Sequence, residues 1–272
     1  MATERYMVMD VALCHDCNNC FMACTDEHAD NDWAPYQAPM PWHGHRWMDI
    51  LRHERGENDR IDVAFLAKPC FQCGDSAPCA KAAGGAVKTR GDGIVEIYLD
   101  AAKGKDLTKD CPYGSIWWNE EAQLPQKCDF CAHLLDNPSW EHGVPRCVHS
   151  CPTGALKFYT EEPAAFAKRV EAEGLSAYKP MDGATPHVWY KNLHRFTKNF
   201  VTGGVLRGYD WAEGVEVTLE GAGVKQTQKT TAFGEYKFDG LEDGDYTLTA
   251  EGKTLATVSL KGASVDAGDA TL

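Results

Sequence analysis

The stretch CHDCNNCFMAC, residues 14–24, sets four cysteines apart by two, two and three intervening residues. That run is awkward for a zinc tetrahedron, which generally joins two separated cysteine pairs. It suits an iron–sulfur cubane better: three closely spaced thiolates take three iron corners, and a remote thiolate takes the fourth. The other cysteines fall into matching groups. Cys70, Cys73 and Cys79 lie in CFQCGDSAPC, Cys111 in DCPYG, Cys128 and Cys131 in CDFC, and Cys147 and Cys151 in CVHSCP. The twelve cysteines divide into three sets of four.

In bacterial two-cluster ferredoxins the fourth cysteine of a run serves the other cluster, and a proline often follows it. Pro112 and Pro152 follow Cys111 and Cys151, whereas Thr25 follows Cys24. Written out, the crossed pairing groups Cys14, Cys17 and Cys20 with Cys151. It groups Cys128, Cys131 and Cys147 with Cys24, and Cys70, Cys73 and Cys79 with Cys111. Each cysteine is used once. The expectation is three [4Fe-4S] clusters on thiolate ligands, with no catalytic residue on this chain.

The bulk properties fit. A net charge of −13 over 272 residues argues against nucleic acid, because phosphate binding needs a surplus of Lys and Arg. The N-terminal MATERYMVMDVALC lacks the basic start and apolar core of a signal peptide. No apolar run approaches the roughly 18 residues that cross a bilayer. The expectation is a cytoplasmic chain with no membrane anchor of its own, in a compartment where thiols stay reduced and disulfides are rare. A zinc-stapled interaction scaffold stays open as the reading from a different class. Its discriminator is a colourless, zinc-loaded preparation in place of a brown one with about twelve irons and twelve sulfides.

Alternation and turn residues predict strands at RYMVMDV (5–11), GIVEIYL (93–99), SIWWNEE (115–121) and GALKFYT (154–160), and a short helix over NCFMACTDEHA (19–29). A helix is predicted over 160–174, capped by Thr160, with Pro163 in its first turn, Phe166 and Val170 on one face, and Gly174 ending it. The fold expectation is α+β. A pseudo-twofold ferredoxin-like domain (1–174) leads to an aromatic, basic connecting segment (175–200), which is either an extended belt or an ordinary linker. From Val201 the short alternating runs GVEVTLE, GEYKFDG, GDYTLTAEG and TLATVSL predict a small antiparallel β-sandwich (201–272) of about seven strands.

With these groups in place, residues 5–160 resemble the four-cluster electron-transfer subunits of the dimethyl sulfoxide reductase superfamily of molybdopterin oxidoreductases. The order of the groups and the motifs CPYG and CPTGA carry the likeness. That family has a further cysteine where this chain has Ala83, and three more where it has Ala101, Gly104 and Leu107. The resemblance implies that one cluster is deleted whole and three remain. It also implies that the Cys14 group lies nearest the molybdenum subunit and the Cys70 group farthest. CNNCFMAC, GHRWMDI, CPYGSIWWNEE, KCDFCAHLLDNPSW and YKNLHRFTKNFVTGG further resemble the small subunits of pyrogallol–phloroglucinol transhydroxylases. That likeness implies a heterodimer with a large catalytic subunit carrying molybdenum bis-(molybdopterin guanine dinucleotide) and acting on hydroxylated aromatics. The alternative in the same class is another reductase or an aromatic dehydroxylase. The C-terminal runs are similar to transthyretin-like, carboxypeptidase regulatory-like sandwiches.

Other residues carry open readings. His43 and His45, in WHGHRW, suit either a metal or aromatic packing. Lys68, Lys127 and Arg146 flank cysteines and suit either potential tuning or plain solvated charge. Trp117 and Trp118 suit either a water shield or ordinary core.

Overall fold

The computed structural model describes residues 2–272, a mixed α+β chain made mostly of strands. It forms two compact units. One holds residues up to 51 together with 65–193; the other holds 52–64 together with 194–272.

In the first unit the apolar strand Glu4–Asp10 is the centre of a three-stranded sheet. Leu156–Glu161 runs antiparallel beside it, with Tyr6 opposite Tyr159, and Val188–Lys191 runs parallel on the other side, with Met9 opposite Tyr190. The helix Pro163–Glu173 covers this sheet. Phe166 stacks on Tyr6 with ring centroids 3.7 Å apart, in a core shared with Val8 and Leu175. Gly174 ends the helix at φ +63°, and the Leu175 N–H returns to the Val170 carbonyl at 2.9 Å. The start differs from the expected cap. Thr160 is in the strand, paired with Arg5; Glu162 stands at the cap and proline opens the first turn.

The cysteine-bearing remainder has little regular structure. Two small hairpins, Val87–Thr89 with Val95–Ile97 and Trp117–Asn119 with Leu124–Gln126, frame a second apolar core. The helix Asn19–His28 packs against the short helix Arg146–His149. The strands Asp49–Glu57 and Arg60–Lys68, most of whose residues belong to the second unit, form a further hairpin that local sequence pattern did not mark.

In the second unit Asn199–Arg207 lies between Glu235–Leu241, antiparallel, and Val265–Thr271, parallel. A second sheet has the order Val224–Lys229, Glu216–Gly221, Gly244–Ala250, Lys253–Leu260, antiparallel throughout. Alternate residues of both sheets, among them Val201, Val217, Leu219, Phe238 and Leu248, form one fully buried core. This is what period-two patterning produces when one face of each sheet is dry. Among the described residues no helix is long and apolar enough to cross a membrane.

Candidate metal centres

No cysteine is disulfide-bonded. The sulfurs instead gather in three places, and at each the backbone is bent in the same way. Each run has non-glycine residues at positive φ: Asp16 and Asn18 in the first, Gln72 in the second, Phe130 and the cysteine Cys131 itself in the third. Asp and Asn visit that region readily, but for Gln, Phe and Cys it costs about 1–2 kcal/mol each. Left-handed residues turn neighbouring N–H groups toward a bound anion, a device common at iron–sulfur sites.

The first place is a cavity walled by Cys14, Cys17, Cys20 and Cys151 with Met9, Ile50 and Leu156. The central strand delivers the chain into its loop, where Asn18 Nδ2 donates to the Asp16 carbonyl at 2.8 Å. Cys17 is exposed, so this is the most open of the three. Burial pushes the Cys20 thiol up to about 12, and neighbouring sulfurs add to this. Cys151 is the exception. Burial opposes its ionisation, but backbone N–H groups of Leu156, Thr153 and Ala155 and the Thr153 hydroxyl outweigh it and hold the thiol below its ordinary value.

The second cavity is walled by Cys70, Cys73, Cys79 and Cys111 with Phe71, Val95, Tyr113, Ile116 and Lys127. Cys79 sits on the short helix Pro78–Ala82, and the Ser115 N–H donates to Cys111 Sγ at 3.3 Å. Burial, then the negative charge of Cys70, raises the Cys79 thiol to about 11.

Cys24, Cys128, Cys131 and Cys147 are all buried, and their charges act on one another. Burial drives Cys24, Cys131 and Cys147 well above their ordinary range. The next contributions come from one another: Cys131 and Cys128 act on Cys24, and Cys128 and Cys24 act on Cys147. The Phe130 N–H approaches Cys128 Sγ at 3.5 Å. Cys20 and Cys24 lie one turn apart on the helix Asn19–His28, so a single element serves two of the places.

Nine of the twelve thiols are raised in this way and resist ionisation without a cation, and a metal group supplies that positive charge. Among the described residues no three His, Cys, Asp or Glu side chains converge closely enough for one metal ion. A cubane spreads its ligand sulfurs around a wider cage, so the donor set fits it better than a mononuclear zinc site.

The structure also shows partners that cysteine spacing did not single out. Gln72, fully buried, accepts the Val95 N–H at 2.8 Å and donates to the Cys128 carbonyl at 2.7 Å. His28 places Nε2 3.6 Å from Cys131 Sγ, and burial beside Trp47 and His133 lowers its pKa to about 4. Its position four residues after Cys24 is a helical signal that marks it in the sequence. Lys68 and Lys127 are buried, not solvated: Lys68 Nζ donates to the Tyr113 carbonyl at 2.8 Å, and Lys127 Nζ to the carbonyls of Val95 and Cys128. Arg146 pairs with Glu27 at 3.0 Å. His45 meets the Trp118 carbonyl at 3.0 Å and packs on Trp117, which favours packing over metal binding. Ala83 and Leu107 are buried in one apolar core with Ala86, Ala102 and Ile116, while Ala101 and Gly104 are exposed.

Comparison with known proteins points to iron–sulfur subunits. Residues 61–161 match the family described as 4Fe-4S dicluster domain. The chain is 49% identical over 270 residues to the pyrogallol hydroxytransferase small subunit of Pelobacter acidigallici, covering 97% of this chain and 98% of that one. It is 28% identical to the formate dehydrogenase iron–sulfur subunit of Haemophilus influenzae, covering 70% of this chain and 65% of that one. It is also 26% identical to the formate dehydrogenase-O iron–sulfur subunit of Escherichia coli, covering 74% of this chain and 70% of that one. Fold and cysteine groups thus define an iron–sulfur chain of the 4Fe-4S type. It belongs to the family of the pyrogallol hydroxytransferase small subunit.

Proposed function

We propose that this chain is the electron-transfer subunit of a molybdopterin enzyme acting on hydroxylated aromatics, of the pyrogallol hydroxytransferase kind. It holds three [4Fe-4S] clusters: one on Cys14, Cys17, Cys20 and Cys151, one on Cys24, Cys128, Cys131 and Cys147, and one on Cys70, Cys73, Cys79 and Cys111. A larger subunit carries the molybdenum bis-(molybdopterin guanine dinucleotide) and the substrate pocket, and the pair works in the cytoplasm. The observation that carries the reading is that sulfurs from remote segments line common cavities, Cys151 with Cys14, Cys17 and Cys20, and Cys111 with Cys70, Cys73 and Cys79. A count of three, not four, is supported by Ala83 and Leu107 standing in dry apolar packing where the wider family has ligands.

When bound, such clusters accept and release one electron at a time. The chain's residues do the rest. Thiolates fix each site, backbone N–H groups at Cys111, Cys128 and Cys151 offset sulfur charge, and burial keeps water from most of the sulfurs. The two sheets of the second unit read as a transthyretin-like sandwich.

The test is metal and sulfide analysis of the complex purified without oxygen. About twelve irons and twelve sulfides per small subunit are expected. Zinc without sulfide would establish the scaffold reading instead. Turnover without consumption of an external electron donor is expected for hydroxyl transfer, whereas stoichiometric consumption would identify a reductive dehydroxylase.

A further inference from the structure

Lys127 is 1% exposed and among the largest fully buried side chains of the molecule. It belongs to two sites at once. Its side chain forms part of the wall of the cavity lined by Cys70, Cys73, Cys79 and Cys111. In the chain it immediately precedes Cys128, whose carbonyl accepts from Nζ at 3.1 Å. A second N–H goes to the carbonyl of Val95, another residue of the cavity wall. Gln37 holds the Lys127 carbonyl at 3.2 Å, which fixes the backbone between the two sites.

Two carbonyls satisfy hydrogen bonds, not charge. A buried ammonium is costly unless an anion compensates it. Among the described residues no carboxylate forms an ion pair with Nζ, so the compensating charge falls chiefly to the sulfurs on either side. A positive charge beside a cluster favours the extra electron, because reduction makes the site more negative.

We propose that Lys127 is a shared positioning charge: one buried ammonium that biases both the Cys70–Cys73–Cys79–Cys111 site and the Cys24–Cys128–Cys131–Cys147 site toward the reduced state. The inference rests on the three-cluster reading above. It makes the two sites a matched pair, tuned together, with the Cys14 site tuned independently.

The experiment is a redox titration of the intact complex followed by electron paramagnetic resonance, for wild type, Lys127→Met, Lys127→Gln and Lys127→Arg. The centres are assigned beforehand with Cys24→Ser and Cys151→Ser. Iron and sulfide counts on the wild type test the three-cluster reading separately. Both neutral variants are expected to lower the midpoints of the two flanking centres and leave the Cys14 centre in place, and Lys127→Arg restores most of the shift. A shift confined to one centre, no shift, or an equal shift of all three overturns the proposal. Where the neutral variants do not assemble, wild type labelled with 15N-lysine decides. A lysine nitrogen coupled to the reduced Cys24 centre is expected in pulsed spectra, and its absence overturns the link.

Discussion

Gln72 and Cys128 lie in different cysteine groups, yet the Gln72 side-chain amide donates to the Cys128 carbonyl at 2.7 Å. The same side chain accepts the Val95 N–H at 2.8 Å, so one buried residue ties a cavity wall to the neighbouring loop. Gln72→Ala leaves the buried Val95 N–H without its partner, at about 1–3 kcal/mol, and the Cys128 carbonyl with Lys127 Nζ alone. Gln72→Glu is expected to be no better, because an ionised carboxylate cannot donate to the Cys128 carbonyl. Both variants should release iron faster under a chelator, with matching loss at the Cys70 and Cys24 centres. Equal release rates in wild type and variants would show that the bridge is dispensable.

The crossed grouping makes a sharp demand on Cys151. It sits beyond the helix Arg146–His149, close in sequence to Cys147, yet lines the cavity of Cys14, Cys17 and Cys20. Cys151→Ser should therefore alter or abolish the magnetic signal of the Cys14 centre and spare the centre containing Cys147. Cys24→Ser should do the converse. The opposite assignment, each variant disturbing the centre of its nearest chain neighbours, would refute the grouping.

Periodicity and ligand spacing made part of this legible. The central strand, the helix ended by Gly174 and the alternating runs after Val201 follow from local pattern, because each buries one face on a period of its own. The cysteine groups were legible because ligand spacing is a local constraint. The strand Val188–Lys191 was not legible in this way: it follows two prolines and pairs parallel with Glu4–Asp10, a relation no short window contains. The predicted strand at 115–121 shortens to Trp117–Asn119, because the residues before it turn to bring Ser115 N–H to Cys111. Gln72 was silent for a related reason. Its role depends on a left-handed backbone at φ +51° that aims the side chain at a loop 56 residues away.

The apolar packing of Ala83 and Leu107 can be tested directly. Both are almost wholly buried with Val87, Val95 and Ile97. Leu107→Ala removes a core side chain and is expected to cost about 2–5 kcal/mol, read as a drop in midpoint denaturant concentration. Cysteine at Ala83 and Leu107 together, without partners at the exposed Ala101 and Gly104, should not raise the iron count. A rise by four irons would show that the space still accepts a cluster.

In the second unit Asp62 is the carboxylate that most of a crowded ion network converges on. Its Oδ2 accepts from Lys237 Nζ at 2.7 Å and from Arg55 at 2.6 Å, and its Oδ1 from Arg195 at 3.1 Å. Burial alone would raise its pKa, but Lys237, then Arg55 and Arg195, lower it to about 2. The unfolded chain returns the group to near 3.9. A depressed carboxyl pKa stabilises the fold above the unfolded value, and that contribution is lost as pH falls through the folded one. The window therefore lies between about pH 4 and pH 2, and the lost contribution is on the order of 2 kcal/mol. Hydrogen exchange at the strand Asn199–Arg207, corrected for the intrinsic pH dependence, should show wild-type protection falling across that window. Asp62→Asn should be less protected at pH 7 and flatter below pH 4, since the amide does not titrate and leaves the side chain of Arg55, only 1% exposed, with Asp239 as its remaining carboxylate. Parallel curves for the two proteins from pH 4 to pH 2 would place the acid sensitivity elsewhere.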